Sequence, residues 1–216
     1  VIALTKTADE RDYPELAEEL KIVDLHFDAA SPQHPMRRWE YAMALRAHAS
    51  WVEHPGGLLP AGPVYDVGGA GSPFYRMMDP YQTQVIDPAE LHGKNLDAFL
   101  REGPRLGSLV FCLSVIEHVD DLDLFVYHLS CLTAPGGLLF LTMDFGDTTG
   151  HHHLSNQDPF HFHWMRKRIF TPRTWGELGM NFLLYGFQLF GGIDRTYHGP
   201  TVYDYTFASL CLQKRS

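Results

Sequence analysis

Val64-Tyr65-Asp66-Val67-Gly68-Gly69-Ala70-Gly71-Ser72-Pro73 is the stretch on which the reading of this chain turns. An apolar run from Pro63 to Val67 breaks into small residues, and a proline follows where a helix can begin. That order predicts a strand, a glycine turn and a helix start. Glycine tolerates positive φ and lets a ligand approach bare backbone. A helix N-terminus beyond it offers unpaired N–H groups and partial positive charge to anions. Such a loop suits a flat, polar ligand carrying a carboxylate or phosphate. A dinucleotide fingerprint needs G-x-G-x-x-G; Gly69 and Gly71 fit its first two positions, but Phe74 occupies the third. A phosphate loop fails as well, because no Gly-Lys-Ser/Thr follows.

Asp66-Val67-Gly68-Gly69-Ala70-Gly71 resembles instead the first motif of class I S-adenosylmethionine (SAM) dependent methyltransferases, of the small-molecule, type 11-like kind. Three more segments follow in the order of that family. Gln82-Thr83-Gln84-Val85-Ile86-Asp87 reads as a short strand ending in an acid, which suits two neighbouring ribose hydroxyls donating to one carboxylate. The run from Leu109 to Val119 ends in Ile116-Glu117-His118-Val119, and Leu132-Thr133-Ala134-Pro135-Gly136-Gly137-Leu138 resembles the family's turn into its fifth strand. The four matches span residues 64 to 143 and say little about substrate.

Composition narrows the class. The chain has 216 residues, enough for one domain with a full core, and 45% hydrophobic content suits a globular protein. No apolar run reaches the roughly 20 residues that cross a bilayer. The acidic start (Asp9, Glu10, Asp12, Glu15, Glu18, Glu19) is the reverse of a basic targeting peptide. Cys112, Cys131 and Cys211 have no motif spacing, so reduced thiols and a cytoplasmic location are expected. The formal net charge of −9 counts against nucleic acid as a partner. The only basic knot, Arg166-Lys167-Arg168, reads more readily as a solvated edge than as a contact to a phosphate or carboxylate substrate.

The expected architecture is α/β: a Rossmann-like, seven-stranded, mostly parallel sheet with an antiparallel C-terminal hairpin and an N-terminal helical extension. Residues 1–60 form the extension or lid, and residues 61–216 the SAM-binding domain. Within the extension, Tyr13 to Leu20 begins a short helix. Met36 to Val52 is helical, with Met36, Trp39, Met43, Leu45 and Ala47 available for an apolar face. Asp120 or Asp121 caps a helix over Leu122 to Leu132, and Thr171-Pro172 opens another reaching about Tyr185. Phe187 to Gly191 and Thr206 to Gln213 make the closing hairpin. Only about twenty residues separate Asp87 from Leu109, so Asn95-Leu96-Asp97-Ala98-Phe99 is read as a reduced third strand. The resemblance then implies that Asn95 or Asp97 meets the adenine amine; the alternative is that Asp97 caps the following turn.

In open α/β sheets the ligand sits at the carboxyl ends of the strands. Gly68, Gly69, Gly71, Asp87, Ser114, Glu117 and His118 all fall just past such ends. Methyl transfer from a sulfonium needs chiefly alignment, with a base only where the acceptor keeps its proton. His118 is the in-motif base candidate, set against a role in orienting its loop. Glu117-His118 also resembles the Glu-x-x-Glu-His of metal-assisted methyltransferases, but Ser114 stands at the first glutamate position, and no metal is expected. The loop from Gly150 to Trp164 carries His151, His152, His153, His161 and His163 on the same rim, either as polar substrate contacts or as metal ligands. The resemblance implies SAM as cofactor: Gly68, Gly69 and Gly71 with its methionine end, Asp87 with the ribose, Asn95 or Asp97 with the adenine, and Asp66 and Ser114 also at the cofactor site. His118, His161 and His163 face a small-molecule or glycan-like acceptor, methylated at oxygen. The rival readings are a metal-assisted RNA 2′-O-methyltransferase and a non-catalytic binding or scaffold protein of the same fold.

Overall fold

A computed structural model describes residues 3–27, 34–54, 62–78, 83–88, 95–146, 151–152, 167–197 and 206–216. The helices are α1 (Ala17–His26), α2 (His34–Glu53), α3 (Phe74–Met77), α4 (Leu96–Arg101), α5 (Leu122–Leu132) and α6 (Pro172–Leu184). The strands are β1 (Val64–Val67), β2 (Gln84–Ile86), β3 (Gly107–Leu113), β4 (Thr133–Phe145), β5 (His151–His152), β6 (Lys167–Arg168), β7 (Phe187–Leu189) and β8 (Thr206–Lys214).

The main sheet runs β2-β1-β3-β4-β8-β7. The first four strands are parallel, and β8 is antiparallel to both β4 and β7. Among the described residues this is six strands, where the sequence predicts seven. The difference lies at Asn95-Phe99, which is not a strand. Asn95 Oδ1 accepts a hydrogen bond from Ala98 N at 2.8 Å and caps α4. Asp97 then pairs with Arg101 at 2.7 Å, one helical turn on. A capping asparagine and an i,i+4 ion pair outweigh what a short segment without β-branched residues offers to a sheet. In the described structure β2 is therefore an edge strand.

Alternating side chains divide the core between the two faces of the sheet. Leu109, Phe111, Leu138 and Phe140 join Leu20, Trp39, Met43 and Phe74 on one side. Val110, Cys112, Leu139 and Leu141 join Val126, Leu129, Leu178 and Phe182 on the other. Of the face predicted for α2, Trp39, Met43, Leu45 and Ala47 are buried. Asp121 caps α5 through Leu124 N, and Thr171 with Thr174 forms a capping box before Pro172 of α6.

The first helix starts later than the sequence predicts, at Ala17, behind a 3₁₀ turn over Glu10–Asp12. The segment before it is stitched to the sheet, with Ala8 N donating to Phe207 O at 2.8 Å. Among the described residues no helix is long and apolar enough to cross a membrane.

Candidate active site

The tips of β1, β2, β3 and β4 lie side by side at one end of the sheet, and α2 packs against β3 and β4. At the first tip Gly68 adopts φ +81°, and its N donates to Ile86 O at 2.9 Å. A Cβ there would lie 2.2 Å from Val115 Cγ2, and one at Gly69 would lie 2.2 Å from Asp66 Oδ2. At both positions it is the protein itself that needs the bare backbone. At Gly71, with φ +70°, a Cβ would meet none of the described residues within 4 Å. Asp87 is half-buried, and its Oδ2 accepts from Ala70 N at 3.1 Å, so the acid ending β2 secures the glycine loop.

Asp66 is buried beneath that loop, and its Oδ2 has no hydrogen-bond partner among the described residues. Burial, and then the charge of Asp87, raise its pKa to about 7, against the opposing pull of Arg37. Tyr41 of α2 spans the loop from above, its hydroxyl 3.2 Å from Ser72 Oγ and its ring stacked on Phe74 at 5.7 Å.

Beside the loop lies an open cavity of ≈ 290 Å³ between the β1 and β2 tips and the N-terminal turns of α4 and α5. That is near the lower end of the roughly 300–1,000 Å³ of small-ligand sites. Val67, Ile86, Leu124 and Phe125 give it apolar walls, and Asn95, Asp97 and His128 give it polar edges. His128 Nε2 stands 3.7 Å from Asp97 Oδ1.

Of the residues expected at the site, Gly68, Asn95 and Asp97 line this cavity. Gly69, Gly71, Asp66 and Asp87 build the loop at its edge. Ser114 is buried and turned the other way, donating to Glu40 Oε1 at 2.5 Å. His118 is exposed on a 3₁₀ turn over Ile116–His118, while its neighbour Glu117 is buried. His161 and His163 lie outside the described residues. Among the described residues, no group of three His, Cys, Asp or Glu side chains is placed to hold a metal ion.

Sequence reasoning missed a second cluster. Glu40 is fully buried and accepts from Ser114, Thr142 Oγ1 and Arg37 Nη1, the last at 3.2 Å. Burial works against the charge of Arg37, but Glu40, Tyr41, Glu117 and Asp144 together hold its pKa above the ordinary value. The signal was the i,i+3 pair Arg37 and Glu40 within α2, a helix read only for its apolar face. The glycine loop, the apolar slot with carboxylate edges, and the unsatisfied Asp66 together fit a nucleoside bearing an amino-acid tail.

No protein-family model matches the chain, and no curated protein does. Solved structures do. Magnesium protoporphyrin IX methyltransferase from Synechocystis PCC 6803, with bound SAM, is 13% identical with a TM-score of 0.55, over 94% of each chain. A Listeria monocytogenes protein assigned as a SAM-dependent methyltransferase is 14% identical with a TM-score of 0.51, over 78% of this chain and 100% of its own. The [4+2]-cyclase SpnF is 14% identical with a TM-score of 0.50, over 95% of each chain. The likeness is one of fold: this chain shares the architecture of these solved S-adenosylmethionine-dependent methyltransferases.

Proposed function

We propose that this protein is a SAM-dependent methyltransferase acting at oxygen on a small-molecule or glycan-like acceptor. The observation that carries the reading is the glycine loop, held by Asp87 at the mouth of an apolar cavity with Asn95 and Asp97 at its edge. Bound SAM would supply an electrophilic methyl group on a sulfonium. The backbone of Gly68, Gly69 and Gly71 would border the methionine end, with Gly71 alone leaving open space there among the described residues, and Asp87 accepts from the ribose. Asn95 has its Oδ1 committed to Ala98 N, so it offers the purine a donor. The Asp97 carboxylate offers the acceptor that an amino group needs. His118 stands on the turn after β3, where an imidazole accepts the acceptor's hydroxyl proton near neutral pH. Residues 1–60 act as cover, and residues 61–216 as the binding domain.

The fold alone does not dictate methyl transfer, since SpnF shares it. Calorimetry with SAM, S-adenosylhomocysteine and NAD separates the ligands. The expected result is binding of the first two and none of the third. Asp87→Ala should fold and lose most SAM affinity, at about 1.5–3 kcal/mol for each charged hydrogen bond removed. Unchanged binding in that variant would remove Asp87 from the site.

A further inference from the structure

Among the described residues, Ser114 is the only residue other than glycine with positive φ, at +52°. Left-handed backbone is unfavourable for a residue with a Cβ and persists only where its surroundings impose it. Here they are explicit. Ser114 N donates to Thr142 O at 3.2 Å and to Thr142 Oγ1 at 3.1 Å. Ser114 Oγ donates to Glu40 Oε1 at 2.5 Å, and the Thr142 hydroxyl donates to the same oxygen. Glu40 thus ties the tips of two neighbouring strands to α2 from a position without solvent. The residue after Ser114 is Val115, which both walls the cavity and fills the space left by the missing side chain of Gly68.

We propose that Glu40 is a positioning residue for the cofactor cleft: by holding Ser114 in its left-handed conformation it sets Val115 against Gly68 and fixes the turn that carries His118. The link to cofactor rests on the methyltransferase reading; the link from Glu40 to the β3 tip does not. Among the described residues Glu40 does not line the cavity and is hydrogen-bonded to Arg37, Ser114 and Thr142, so its effect on the cleft passes through Ser114 and Thr142.

Two readouts test this, calorimetry with S-adenosylhomocysteine and backbone hydrogen exchange over residues 115–118. Glu40→Ala should weaken binding by about tenfold, the scale of coupling within one hydrogen-bonded network, and should speed exchange at the tip. Adding Ser114→Gly should restore part of both, because glycine takes positive φ without help. A purely structural carboxylate would gain nothing from that second change. Glu40→Gln, which keeps an acceptor for the hydroxyls, serves if Glu40→Ala does not fold, and should fall between wild type and Glu40→Ala. A wild-type protein that binds no S-adenosylhomocysteine overturns the cofactor reading alone. Exchange at 115–118 that is unchanged by Glu40 substitution, or that Ser114→Gly does not restore, overturns the proposal.

Discussion

Gly69 has no room for a side chain because Asp66 Oδ2 occupies the place of its Cβ, 2.2 Å away. Gly69→Val should therefore act twice, displacing a buried carboxyl group and disturbing the loop that Asp87 holds. The expected outcome is a lowered unfolding temperature together with loss of SAM binding; a variant that keeps both would make the loop an ordinary turn. Asp66 also sets a pH dependence. Its pKa in the folded protein is about 7 against 3.8 for an unperturbed aspartate, so between these values the folded state holds more of the proton than the unfolded chain. Stability from this group is full below about pH 4 and falls as pH rises through about 7. Asp66→Asn should flatten that slope and raise stability at pH 8 by on the order of a few kcal/mol, read from denaturant titrations at several pH values. An unchanged slope would show that Asp66 is not the titrating group.

Elements differ in how much of their placement is local. The α6 helix carries its own start signal: Thr171 Oγ1 accepts from Thr174 N, while Thr174 Oγ1 accepts from Thr171 N at 2.8 Å. Thr171→Ala should cost about 1 kcal/mol, seen as a lower denaturant midpoint with an unchanged slope. A loss below a few tenths of a kcal/mol would mean that α6 is held by packing of Trp175, Leu178 and Phe182 and not by its cap. The α4 helix is the counter-case. Its capping signal, Asn95 ahead of Ala98, is present in the sequence, but it falls where the resemblance places a third strand. The α2 helix was legible as amphipathic and illegible as a carrier of buried charge, because Arg37 and Glu40 look like a surface pair until two strand tips close over them.

Across the whole molecule, the N-terminal segment and the sheet share one core. Lys6 Nζ meets Asp12 Oδ1 at 2.5 Å, and Trp39 Nε1 donates to Asp12 Oδ2 at 2.9 Å, with Lys6, Asp12 and Trp39 all buried. Removing one partner leaves a buried charge uncompensated. Asp12→Ala should cost about 3–5 kcal/mol and lower a single transition, because Leu4, Leu20 and Trp39 pack in the same cluster as Phe111 and Phe140. Two separated transitions, with the sheet melting at its original midpoint, would show instead that the N-terminal segment folds independently.

The sequence by itself determined the strand and glycine turn at Val64–Gly71, the starts of α5 and α6, and the closing hairpin. Each is written in neighbouring residues: a small-residue break, a capping side chain, an alternating apolar run. It also determined the superfamily resemblance, through motifs that follow one another along the chain. Only the tertiary structure decided that Asp66 Oδ2 is buried against Gly69 with no hydrogen-bond partner among the described residues, that Ser114 bonds to Glu40, and that His128 meets Asp97 at the cavity edge. The Glu40 contacts span 74 positions to Ser114 and 102 to Thr142. Local pattern carries no information about such pairs, because they exist only once the parallel strands have brought their tips together under α2.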